Sequence, residues 1–326
     1  MAPILLHAEG DTRTGLGHLV RMVGVAGDLA ATRKVHLASA SPHLAAVVRE
    51  LAPWSSGPFE VHALAPSPED PWSRGPELAE ELTGLARALA ATVLVSDGKA
   101  TYPKEAFAAL RGHARVVLVD NVVTDPSAYD LLVLPTCHAD PAVIARVGAE
   151  KVRTGADWTF VHPAVRAAAA RPRGPGQGVF VSMGGADPNG LTGRAIAHLL
   201  ATTTERVVAV CGPANLHRAC LEALAAREPR ISLVSGSPAS QDALAASAWA
   251  LCAFGITAYE AVALGIPLVV VPHDGVIDGD IERFSSAFPG QVTPSATVEG
   301  AAVPSERSSV GAGALIGALS SALAQV

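Results

Sequence analysis

Five short runs in the first half of the chain are apolar almost throughout: "PILLHA" (3–8), "KVHLAS" (34–39), "TVLVSD" (92–97), "ARVVLVD" (114–120) and "DLLVLP" (130–135). A strand that is apolar on both sides must be covered on both sides, and a parallel sheet flanked by helices does this. Helical patterns fall between the runs, at about 17–31, 42–51, 76–90 and 103–112. The second half repeats the theme with "GVFVSMGG" (178–185), "RVVAVCG" (206–212), "ISLVSG" (231–236), "ALCAFG" (250–255) and "PLVVVP" (267–272). Helical patterns near 188–201, 214–227, 239–247 and 257–264 separate these.

The expected fold class is therefore α/β, with two Rossmann-like domains whose parallel sheets face a central cleft. At 326 residues the chain exceeds what one compact core normally serves, which also favours two domains. The Pro- and Gly-rich stretch "AAAARPRGPGQG" lacks an apolar period and reads as the linker. The expected division is residues 1–166, a linker at 167–177, a second domain at 178–309, and a C-terminal helix at 310–326 that crosses back onto the first domain.

The net charge of −6 and the absence of a Lys/Arg stripe argue against a nucleic-acid partner. Four cysteines, Cys137, Cys211, Cys220 and Cys252, are widely separated with no C-x-x-C pair, which fits reduced, buried thiols in a cytoplasmic protein. The N-terminal apolar run is too short for a signal peptide, and no segment has the length of a membrane span.

The first turn after a strand reads "GLGHLVR" (15–21). Gly15 and Gly17 let the backbone approach a ligand before a helix begins, and the helix N-terminus favours an anion. His18 lies in the first turn of that helix, where the dipole favours the neutral imidazole that accepts a proton. A dinucleotide fingerprint is not completed: the third glycine is missing, and the second strand ends in Ser39 and Ala40 rather than an acidic residue. In the second half, Gly184 and Gly185 follow a strand, with Asp187 or Asn189 placed to cap the next helix. Phe254 and Gly255 follow another strand, with Thr257 as the expected cap and Glu260 one turn in, where its carboxylate could accept bonds from a ribose diol. Taken together these turns suit a diphosphate-sugar ligand.

"GDTRTGLGHLVRMVGVAGDLA" resembles the N-terminal signature of the nucleotide-sugar hydrolases of pseudaminic acid biosynthesis and the related spore-coat polysaccharide proteins. The resemblance continues in order through "VLVSDGKA", "VVLVDNVVTDPSAYDLLVLP", "TGADWTFVHPAVR", "VFVSMGGADPNGLTGRAI" and "AFGITAYEAVALGIPLVVV". It implies the two-domain glycosyltransferase-B (GT-B) fold, shared with the lipid-linked glycosyltransferase of peptidoglycan synthesis. It also implies His18 as the base that activates water, Gly15 and Gly17 as a phosphate-side loop, and Asp97 as an acidic residue turned to the sugar. Thr257 would bind the nucleotide and Glu260 the ribose. Arg21 would be either a diphosphate contact or a solvated surface residue.

The chain departs from the family pattern in three places. The loop after the strand at 267–271, "HDGVIDGDIERF", lacks the family's Asn and Gln and offers Asp274, Asp278 and Asp280 instead. Gly255 is followed by Ile256 rather than a second glycine, and the first strand leads into "HAEGD".

His7, His36 and His273 read as satisfied core or edge histidines, His162 as structural, and Asp120 and Asn121 as turn residues. No two histidines have metal-ligand spacing, so neither a metal nor another cofactor is expected. The expected activity is hydrolysis of a UDP-type nucleotide sugar in surface-polysaccharide or related sugar biosynthesis. The alternatives are a glycosyltransferase that uses an acceptor hydroxyl and a non-catalytic nucleotide-sugar binder.

Overall fold

The apolar runs become strands of two parallel sheets, and all but the run at 231–236 lie inside them. The structure is a computed structural model that describes residues 2–11, 15–66, 73–136, 139–171, 174–212, 215–236, 239–273, 279–304 and 319–326. The first part of the chain forms β1 (Ile4–Ala8), α1 (Gly17–Leu29), β2 (Val35–Ser39), α2 (Leu44–Leu51), β3 (Glu60–Ala63) and α3 (Gly75–Ala88). It continues through β4 (Val93–Asp97), β5 (Arg115–Val119), β6 (Leu131–Val133), α4 (Pro141–Val147) and β7 (Val152–Arg153). Then come α5 (Pro163–Ala169), β8 (Val179–Ser182), α6 (Leu191–Thr202), β9 (Val207–Val210), α7 (Arg218–Ala225), β10 (Ile231–Val234) and α8 (Ala239–Ala246). The last elements are β11 (Trp249–Ala253), α9 (Ile256–Ala263), β12 (Leu268–Val271), α10 (Asp280–Ala287), β13 (Val292–Pro294) and α11 (Leu319–Ala324).

Among the described residues, one sheet has the order β3-β2-β1-β4-β5-β6-β7 and the other β10-β9-β8-β11-β12-β13. Each order reverses once, between β1 and β4 in the first sheet and between β8 and β11 in the second. Open α/β sheets bind ligands at such switch points, beyond the carboxyl ends of the strands. In the first sheet Ala8 pairs with Asp97 and Asp97 with Val119, which sets the ends of β1, β4 and β5 side by side.

The elements fall into two compact units. One holds residues 2–11, 18–160 and 319–326, and the other holds 15–17 and 161–304. The chain therefore passes into the second unit at 160–161, ahead of the Pro- and Gly-rich stretch. The reason is local: His162 caps α5, accepting from the Ala164 N–H at 3.1 Å, and α5 packs on α8 and α9. Within the first unit, Ser320 in α11 donates to Asp28 at 2.6 Å and Arg33 donates to the Ala324 carbonyl at 2.8 Å.

Several short elements carried no clear periodic signal in the sequence, among them β3, β7, β13, α4, α5 and α10. Residues 103–112 form turns and a short 3-10 helix at Ala108–Leu110 rather than an α-helix. Bonds such as Ala106 N–H to the Pro103 carbonyl tighten the segment, and Gly112, at φ +79°, ends it. Cys211 and Cys252 are buried, but Cys220 is exposed on α7, contrary to its expected burial. Cys137 lies outside the described residues. Among those described, no helix is long and apolar enough to cross a membrane.

Buried α1 leads out of β1 and carries Leu19, Met22, Val25 and Ala26 at no exposure. A Cβ on Gly24 would sit 2.8 Å from the buried ring of Phe160. In Gly24→Ala, better helix propensity gains at most about 1 kcal/mol, while overpacking costs about 1–3 kcal/mol. The variant should therefore lose stability in a denaturant titration. An unchanged or raised midpoint would show that Phe160 yields freely.

Candidate active site

In the first unit the switch point carries four interacting side chains. His18 sits one residue into α1, Arg21 one turn later, Asp97 closes β4 and Asp120 follows β5. Asp97 has no exposed surface. Both of its oxygens are engaged: Arg21 Nε donates to Oδ2 at 2.7 Å, Arg21 Nη2 to Oδ1 at 2.7 Å, and His18 Nδ1 lies 2.8 Å from Oδ1. Arg21 Nη2 also donates to Asp120 at 3.3 Å. A fork-to-fork guanidinium–carboxylate pair of this kind fixes geometry as well as charge.

The same contacts assign the His18 tautomer. Nδ1 lies 3.0 Å from Arg21 Nη2 and 2.8 Å from the Asp97 oxygen. Guanidinium nitrogens only donate and an ionised carboxylate only accepts. An unprotonated Nδ1 would set its lone pair against the carboxylate, so Nδ1 carries the proton and donates it to Asp97. The short approach to Arg21 then joins two donors that share one acceptor. In a neutral ring of this tautomer the lone pair lies on Nε2. Burial alone would raise the Asp97 carboxyl, but the Arg21 charge and then His18 outweigh it and hold it below the ordinary carboxylate range. Burial likewise opposes the charge on Arg21, and Asp97 and Asp120 overcome it and raise its pKa.

Three expectations change here. Asp97 is enclosed and therefore positions His18 rather than turning toward a sugar. Arg21 is no solvated surface residue, because it is buried with Nε and Nη2 committed to carboxylates. Asp120 belongs to the cluster instead of serving only as a turn residue, and it holds a left-handed backbone at φ +56°. Asn121 does make turn bonds, donating to the Ala100 carbonyl at 2.7 Å and accepting from the Thr124 N–H.

Behind this cluster, a chain of buried polar groups crosses β1, β2 and β4. Tyr102 O–H bonds Ser96 at 2.7 Å, Ser96 bonds His7 Nδ1 at 2.9 Å, and His7 Nε2 lies 3.0 Å from Glu9. Glu9 also accepts from the Ala40 N–H and Ser39. His7 is thus a satisfied core histidine, as expected, while Glu9 was not foreseen from the sequence.

In the second unit, the described part of the glycine turn after β1 includes Gly15, at φ +80°, and Gly17, whose added Cβ would lie 3.6 Å from Ile256 Cδ1. Gly184 has φ +88°, and a Cβ on Gly184 or Gly185 would meet open space. Gly212, not singled out from the sequence, allows close backbone approach: a Cβ there would overlap the Gly185 carbonyl oxygen.

The two helix starts beyond these strands differ. Asp187 accepts from the Leu191 and Thr192 N–H groups at 2.8 and 3.0 Å, so α6 is already capped by a carboxylate. Helix α9 starts from Gly255 with no side-chain cap, which leaves its leading N–H groups suited to an anion. Thr257 is not the cap, because the helix begins at Ile256 and places it at the second helical position. Phe254 packs edge-on against Phe284, with ring centroids 5.3 Å apart, and His273 donates to its carbonyl at 2.6 Å. Asp280 pairs with Arg283 at 2.6 Å, whereas Asp274 and Asp278 lie outside the described residues.

Glu260 is 4% exposed, one turn into α9. Burial pushes its carboxyl up to about 7, against a backbone hydrogen bond from His162 that lowers it. His162 thus supports both α5 and Glu260.

The structure also corrects the reading of the histidines. Strand pairing sets His36 opposite Glu60 and Ala38 opposite His62, so His36, Glu60 and His62 share one face. Their ligand atoms all lie within 4.8 Å of one another. Linear spacing does not reveal this, because only the register of β3 on β2 brings the three together.

No protein-family model and no curated protein matches the chain. Among solved structures it is similar to an S. aureus MnaA–UDP co-structure, with 12% identity and a TM-score of 0.58 over 90% of this chain and 84% of that one. It is also similar to the spinosyn rhamnosyltransferase SpnG complexed with thymidine diphosphate, with 20% identity and a TM-score of 0.58 over 90% and 86%. A third is the UDP-GlcNAc 2-epimerase of Methanocaldococcus jannaschii, with 11% identity and a TM-score of 0.55 over 90% and 89%.

Glu260 also makes stability depend on pH. Between pH 4.5 and about 7 the folded chain keeps a proton that the unfolded chain releases, so stability falls as pH rises through this window. Glu260→Gln should leave stability unchanged below pH 4.5 and raise it above pH 7, by as much as about 3 kcal/mol. Parallel melts of the two proteins across that range test this, and a constant difference would contradict it. Two parallel Rossmann-like sheets, each with one reversal of strand order, give the chain the GT-B fold.

Proposed function

We propose that the chain is an enzyme acting on a nucleotide-activated sugar, with His18 as general base for attack of water on the anomeric carbon. The observation that carries this reading is the His18–Asp97–Arg21 cluster at the switch point of the first sheet. Asp97 accepts the Nδ1 proton at 2.8 Å, and Arg21 holds Asp97 ionised without exposure to water. His18 Nε2 then has the lone pair that removes a proton from water as its oxygen bonds to the anomeric carbon. The bond from that carbon to the diphosphate oxygen breaks, and the nucleoside diphosphate departs with the electron pair.

In this reading the second unit binds the nucleoside diphosphate. The uncapped start of α9 at Gly255 and Thr257 supports binding of the diphosphate, because aligned backbone N–H groups stabilise charge as it develops. Gly184 and Gly185 give room for a close approach, and Glu260 suits a ribose diol. The remaining glycine turn, Gly15 and Gly17, would serve the phosphate side. The UDP and thymidine diphosphate held by the MnaA and SpnG structures support a nucleotide diphosphate as the common element. The second reading is glycosyl transfer, in which an acceptor hydroxyl replaces water; the rhamnosyltransferase fold of SpnG favours it.

The test is release of nucleoside diphosphate from a panel of UDP- and TDP-sugars in water, with wild type beside His18→Ala. Release should fall about 10²–10⁴-fold in the variant, the range a positioned base contributes. Release that appears only on addition of an acceptor alcohol would favour transfer. Tight binding without release under either condition would overturn the enzymatic reading.

A further inference from the structure

We propose that His36, Glu60 and His62 form a binding site for a zinc-type divalent cation, clipping the edge strand β3 to β2. His36 is fully buried in β2, while Glu60 and His62 are exposed and half-buried on β3 at the edge of the sheet. His36 Nδ1 lies 2.9 Å from His62 Nε2 and 3.3 Å from Glu60 Oε2. Ligands bound to zinc at about 2.0–2.2 Å stand about 2.9–3.4 Å apart as their mutual angle opens from a right angle toward the tetrahedral value. Two imidazole nitrogens and one carboxylate oxygen are a donor set that suits zinc, with water completing the shell.

Two features keep the affinity moderate. Lys34 pairs with the other Glu60 oxygen at 3.2 Å and competes for its charge. His36 Nε2 is buried with no hydrogen-bond partner among the described residues, whereas a ligating histidine ordinarily hands that proton to an acceptor. Micromolar affinity is therefore expected.

The cluster is separate from the His18 site. His36 is in register with Leu5, as is Leu94, three residues before Asp97 on β4. That spacing is about 10 Å along the strands. The expected role is accordingly structural, fixing a four-residue edge strand.

The experiment titrates zinc chloride into the untagged, chelator-stripped full chain and reads heat and melting temperature, for wild type, His62→Ala and Glu60→Gln. Both substitutions alter solvent-accessible side chains on β3 and spare the buried His36. Wild type should bind one equivalent with a rise in melting temperature, and each variant should bind at least about tenfold more weakly. Absence of binding in wild type, or unweakened binding in either variant, would overturn the site.

Discussion

A carboxylate with no access to water must have its charge met by the protein, and in the first unit Arg21 and His18 meet the charge of Asp97. The solution couples three elements. Asp97 ends β4, its partners lie on the first turns of α1, and Asp120 reaches Arg21 from the end of β5. The arrangement holds the ring of His18 in one orientation, which an ordinary helix-start histidine would not have. The buried chain from Tyr102 through Ser96 and His7 to Glu9 braces the same strand ends.

The second unit sets a helix start at its own switch point and treats it differently. A carboxylate already occupies the start of α6, whereas Gly255 leaves the start of α9 without a side-chain cap. Two helices that follow glycine turns after parallel strands are therefore chemically unlike: one is closed by its own anion and the other is suited to receive one. Glu260 adds a buried carboxyl whose proton is lost at about pH 7, so its hydrogen-bonding character changes near neutrality.

The strands that form the middle of each sheet were legible because they are buried on both faces and read as unbroken apolar runs. The turns at Gly15–His18, Gly184–Gly185 and Phe254–Gly255 were legible for a related reason, since each interrupts the strand-to-helix rhythm. The partnerships were not. Arg21 meets Asp97 across 76 positions and Asp120 across 99, and only the β1–β4–β5 register brings them together. Strand β3 leaves no such mark in the sequence, because an edge strand of four largely exposed residues has neither an apolar run nor clean alternation. With it went the juxtaposition of His36, Glu60 and His62. Thr257 is not the cap because the N-cap of α9, Gly255, lies two residues earlier.

The chemistry of the first unit depends on the state of one ring, and ¹⁵N chemical shifts of the His18 imidazole in the full-length chain at mildly alkaline pH report it directly. A protonated, pyrrole-type Nδ1 and an unprotonated, pyridine-type Nε2 are expected, with the pattern lost in Asp97→Asn. A pyridine-type Nδ1 in the wild-type protein would contradict it, since a ring in that tautomer presents N–H rather than a lone pair at Nε2.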